Sequence, residues 1–95
     1  MNQLVLSACI IEASTLRYTP AGIPALDLTL EHESEASEAG QQRKVKVAIR
    51  AVALGGVAEA LVGQAIGSEW TFTGFLATPR NGKHPVLHIQ SFQQS

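Results

Sequence analysis

The sequence predicts an all-β domain of five strands, with one short helix between the third and the fourth. Three observations predict it. Five segments carry the period-two alternation or the β-branched and aromatic enrichment of strands. Clusters of Pro, Gly and Asn punctuate the chain between several of them. A single segment, "LGGVAEALVGQAIG", has helical spacing instead. At 95 residues the chain makes one small domain, spanning 1–95.

The first strand is "QLVLSACIIEA", Gln3 to Ala13, and it is almost continuously apolar. That pattern suits a strand buried on both faces or one that bends between sheets. Thr19 to Pro24 ("TPAGIP") forms a turn. "ALDLTLEH" then alternates, with Leu26, Leu28 and Leu30 inward and Asp27, Thr29 and Glu31 outward. Glu33 to Gln42 is polar and acidic and reads as an exposed loop, with Gly40 available for a positive φ. The third strand, "RKVKVAIR", runs from Arg43 to Arg50. It puts Val45, Val47 and Ile49 on a core face and Lys44, Lys46 and Arg50 on a solvated face. Val57, Ala58, Leu61 and Val62 place the helix at about Val57 to Gln64. "SEWTFTGFLA" is the fourth strand, with Trp70 and Phe72 on one face, Phe75 on the other, and a bulge or bend at Gly74. "TPRNGKHP" suggests a tight hairpin tip at Asn81-Gly82, and "VLHIQSF" is the fifth strand. This order is that of the five-stranded oligonucleotide-binding (OB) barrel with a short helix between strands 3 and 4.

Catalytic chemistry finds no support. His32, His84 and His88 are far apart and lie in no zinc-ligand pattern. No nucleophile elbow or phosphate loop occurs. Cys9 is a lone cysteine in an apolar run, so no disulfide framework forms and no cofactor is implied. The N-terminus lacks the basic start and long apolar core of a signal peptide. No apolar run approaches the roughly 20 residues that span a bilayer. A cytoplasmic protein is expected.

Charge is informative in its arrangement. Seven Lys and Arg stand against eight acids, yet Lys44, Lys46 and Arg50 share one strand face. OB domains bind single strands across the second and third strands, between the loops that join strands one to two and four to five. Both loops are basic here: the first carries Arg17 and Tyr18, the second Arg80, Lys83 and His84. Cations in a row suit a phosphate backbone. Tyr18 is the aromatic plainly outside the apolar pattern and suits base stacking. The expected nucleic-acid site is therefore Arg17, Tyr18, Lys44, Lys46, Arg50, Arg80, Lys83 and His84.

"RYTPAGIP", then "LEH" and an acidic stretch ending "EAG", resembles the primosomal replication protein N (PriB) family. "GSEWTFTGFLA" and "NGKHPVLHIQSF" are similar to that family's last two strands, so the resemblance covers nearly the whole chain. Single-stranded DNA-binding protein (SSB) is similar in its core. The resemblance implies a homodimer that binds single-stranded DNA and acts in replication restart with the helicase PriA, and in some bacteria with DnaT. In the better-known enterobacterial pattern a stacking tryptophan occupies the third strand, where Lys46 stands here. An aromatic residue gives way to Gln41 and a cation to Glu33, and the last loop is shorter. Two other readings compete: a short SSB paralogue, and an OB-fold protein-interaction module with weak DNA binding.

Overall fold

A computed structural model describes residues 1–95. The strands are β1 (Leu4–Ala13), β2 (Arg17–Tyr18), β3 (Pro24–Glu38), β4 (Gln41–Leu54), β5 (Glu69–Ala77) and β6 (Val86–Gln93), with helix α1 (Gly56–Val62) between β4 and β5. The sheet runs β1-β5-β6-β4-β3-β2, and a further β1–β3 pairing closes five of the strands into a ring. The two-residue β2 lies on the edge of β3, so it adds a short sixth strand to the five expected.

The hydrophobic pattern sets which face is inside. Leu26, Leu28 and Leu30 of β3 are buried, as are Ala8 and Ile10 of β1, Ala51 and Ala53 of β4, Phe72 of β5, and Leu87 and Ile89 of β6. Trp70 meets Phe92 edge-on at 5.1 Å, and both pack against this core. Helix α1 is too short to be stable alone. It buries Ala58 and Leu61 and packs against β3, β4 and β6.

Bulges reconcile strand period with burial. Leu87, Ile89 and Phe92 all point inward, although their spacing breaks a period of two. The β5–β6 register pairs Thr73 with Ser91 and Gly74 with Ile89, which leaves Gln90 as the extra residue. The same device at Ile11 shifts β1 against β3.

The segment from Glu33 to Gln42 departs most from the expected loop. It is strand almost throughout. β3 and β4 pair without interruption from Ala25–Leu54 out to Glu38–Gln41, joined by Ala39 (φ 52°) and Gly40 (φ 77°). Two consecutive left-handed residues give the tight turn whose twist matches a hairpin. Polar composition suggested a loop, but it equally suits a ribbon solvated on both faces. Val45 and Val47 are correspondingly not core residues. They keep the parity of the buried Ala51 and Ala53 but lie beyond the barrel wall, 36% and 43% exposed.

The last loop also differs from expectation. The amide of Gly82 donates to the carbonyl of Pro79 at 3.0 Å, so Arg80 and Asn81 occupy the centre of the turn. Gly82 is not among the glycines with positive φ. A side chain there would press on the Pro79 ring at 3.3 Å. Eight residues between β5 and β6 relieve the demand for a two-residue tip.

Candidate nucleic-acid interface

An open cleft of about 780 Å³ lies on the solvent side of β3 and β4, bounded by the β1–β2 segment and by the start of the β5–β6 loop. It is the groove that the barrel topology predicts. Arg17, Asp27, Thr29, Arg50, Pro79 and His88 are among the residues that line it. They meet there for a simple reason. Asp27 and Thr29 are outward residues of β3, and Thr29 faces Arg50 across the ladder. His88 is an outward residue of β6 and sits opposite Val52 of β4.

Arg17 does not stand free. Its Nε and Nη2 donate to the two carboxylate oxygens of Asp27 at 2.8 and 3.1 Å. The hydrogen bonding from Arg17 outweighs desolvation, the next effect in size, and with a smaller contribution from the Arg17 charge it holds the Asp27 carboxyl below the usual carboxylate range. The same hydrogen bond raises the Arg17 guanidinium. Both side chains are about half exposed, so solvent screens the pair. Arg50 has no ion-pair partner within reach.

Further out on the same face, the cations of β4 meet the acids of β3. Lys46 lies opposite Glu33, and Lys44 opposite Glu35. The Lys44 ammonium bonds Glu33 diagonally at 2.8 Å. That hydrogen bond, then the charge of Lys44 and lastly that of Lys46, lowers the Glu33 carboxyl. On the other face Arg43 pairs with Glu38 beside the turn. The acids that composition places in a loop thus run alongside the basic strand and neutralise half of it.

The eight expected site residues divide accordingly. Arg17 and Arg50 line the cleft. Lys44 and Lys46 continue its face along the β3–β4 arm. Tyr18, 64% exposed, lies on β2, and Arg80, Lys83 and His84 lie exposed in the β5–β6 loop. None of these last four lines the cleft itself. Sequence reasoning missed His88, which it placed only as a strand residue. It stacks on Phe75 with ring centroids 4.9 Å apart and planes 11° from parallel. The available signal was the outward parity of Phe75.

The chain matches a family profile described as "Another single-strand binding protein family" over residues 2–91. It is 50% identical over 91 residues to the replication restart protein PriB of Bordetella pertussis, covering 95% of this chain and 85% of that protein. It is 44% identical to the PriB of Neisseria gonorrhoeae, covering 98% and 93%. The solved structure of PriB from Ralstonia solanacearum superposes with a TM-score of 0.90 at 36% identity, covering 99% and 97%. A single-stranded DNA binding protein from Thermus aquaticus gives 0.79 at 25%, with 98% of this chain against 49% of that one. By profile, sequence and backbone alike, the chain belongs to the single-strand binding protein family, among its replication restart PriB members.

Proposed function

We propose that this chain is a single-stranded DNA-binding accessory protein of the primosome, acting in replication restart with the helicase PriA, and with DnaT where that protein is present. The observation that carries the reading is the cleft. An unpaired Arg50 lines it together with Arg17, on the sheet face where OB barrels hold single strands. The names of the similar proteins support the restart role.

A phosphate contact adds to the salt dependence of binding when it releases a counterion from the strand. A cation already paired with a carboxylate must also give up that partner. Arg50 and Lys46 therefore contribute more than Arg17 and Lys44. Titration of a labelled oligo-dT across salt concentrations tests this. Arg50→Ala and Lys46→Ala should each lower affinity and flatten the plot of log affinity against log salt by roughly 0.7. Wild-type protein inert towards oligonucleotides at low salt would overturn the reading. The arm would then stand as a protein-docking ribbon, the alternative favoured by its alternating Glu and Lys.

Dimerisation belongs to the same proposal. β3 pairs with β1 only from Cys9 onward, so Leu4 to Ala8 have no strand on one backbone edge, where the His32 ring bonds the Ser7 carbonyl and the other groups are left without a strand. Val5, 60% exposed, stands on that stretch. A free edge with an apolar residue suits antiparallel pairing with a second copy.

A further inference from the structure

Three of the four Trp and Phe rings on the last two strands turn inward. Trp70, Phe72 and Phe92 pack on one another inside the barrel. Phe75 turns the other way and lies flat against His88 on the solvent side. The core does not need this pair, yet the backbone is specially shaped to make it. Gly74 lets the carbonyl of His88 approach where any Cβ would lie 1.9 Å from the oxygen. The extra residue Gln90 then sets the register that puts Phe75 opposite His88.

Both rings line a hollow of about 300 Å³ with Val52, Leu54, Val57 and Gln90. Val52, Leu54 and His88 also border the large cleft, so the hollow and the cleft adjoin. One offers flat apolar surface and the other offers arginines. A polyanion with flat apolar side groups matches that combination, since bases stack on rings whatever their identity while phosphates track cations.

Building on the single-strand-binding reading, we propose that Phe75 and His88 form a base-stacking subsite, on which one base of a bound strand lies while Arg50 holds its backbone. Oligo-dT and an abasic oligonucleotide of equal length are the probes. Phe75→Ala and His88→Ala should each weaken oligo-dT binding by about tenfold, the effect of removing one stacking partner. Binding of the abasic strand and the salt slope should not change. Phe75→Tyr and His88→Tyr keep a ring and should keep affinity. Phe75→Leu keeps apolar bulk without a ring and should behave as alanine does, which serves if Phe75→Ala fails to fold. Wild-type affinity for oligo-dT in the folded ring-less variants would overturn the subsite. So would an equal loss on both probes, which marks a structural role. Wild-type protein that binds neither probe would instead remove the single-strand reading, and the subsite with it.

Discussion

Gly74 shows how one missing side chain positions two others. A Cβ there would lie 1.9 Å from the His88 oxygen, a backbone atom that cannot swing aside. Gly74→Ala must therefore push β6 away from β5. Overpacking of this kind costs roughly 1–3 kcal/mol, and a chemical denaturation curve should shift to lower midpoint by that amount. Asp27 makes the opposite kind of choice, restraining a side chain of the cleft. Its carboxylate occupies the Arg17 guanidinium at two points. Asp27→Asn removes a negative charge from the cleft and loosens Arg17, so oligonucleotide affinity should rise several-fold in a titration at low salt. The same pair has a defined pH sense. The folded Asp27 carboxyl is depressed, so its contribution is full above the unfolded carboxylate pKa and fades as pH falls through the folded one. With both groups half exposed that contribution stays below about 1 kcal/mol. Acid titration of Asp27→Asn should lack this component.

The β3–β4 arm is the element whose behaviour differs most from its composition. Its outward face alternates Glu and Lys across the ladder, and its inward face carries Val45 and Val47 beyond the core. An Asp at position 47 would therefore meet solvent rather than the barrel interior. Val47→Asp should leave the barrel folded, with a denaturation free energy within about 0.5 kcal/mol of wild type for the isolated chain. Leu30→Asp, two pairs nearer the barrel axis and fully buried, should unfold it. The turn offers a gain. Ala39 carries a Cβ at φ 52°, a strained position that Asn tolerates better. Ala39→Asn should stabilise the hairpin by up to about 1 kcal/mol, read as slower hydrogen exchange of the arm amides. Glu33→Gln tests the arm's charge balance. It removes the carboxylate that bonds Lys44 and lies opposite Lys46, so DNA binding should tighten and its salt slope steepen.

At the scale of the molecule, the arm makes the protein long: its principal extents are 50, 29 and 21 Å. A 95-residue barrel buries a limited fraction of its surface, and this one leaves one edge of β1 without a strand from Leu4 to Ala8. In the proposed dimer a symmetric partner would pair that edge in both copies at once. Light scattering at micromolar concentration should give twice the chain mass, and a proline at Val5 should return it to the monomer by removing a backbone donor. Monomeric wild-type mass would set the dimer aside. No helix of the chain is long and apolar enough to cross a membrane.

The barrel was legible in the sequence because burial leaves a local mark. Alternating leucines at 26, 28 and 30, the helical spacing of Ala58 and Leu61, and the glycine at 74 each follow from short-range geometry. The solvent face of β4, with Lys44, Lys46 and Arg50, was legible for the same reason. Three features were decided only by tertiary structure. The segment from Glu33 to Gln42 reads as a loop by composition, and only pairing with β4 makes it a strand. Val45 and Val47 share the parity of core residues, but parity cannot say where along a strand the core stops. His88 meets Phe75 across a bulged ladder, and a one-residue change of register would part them. Side-chain period is written into neighbouring residues. The partner of each side chain depends on how separate strands are brought together, and no local pattern records that.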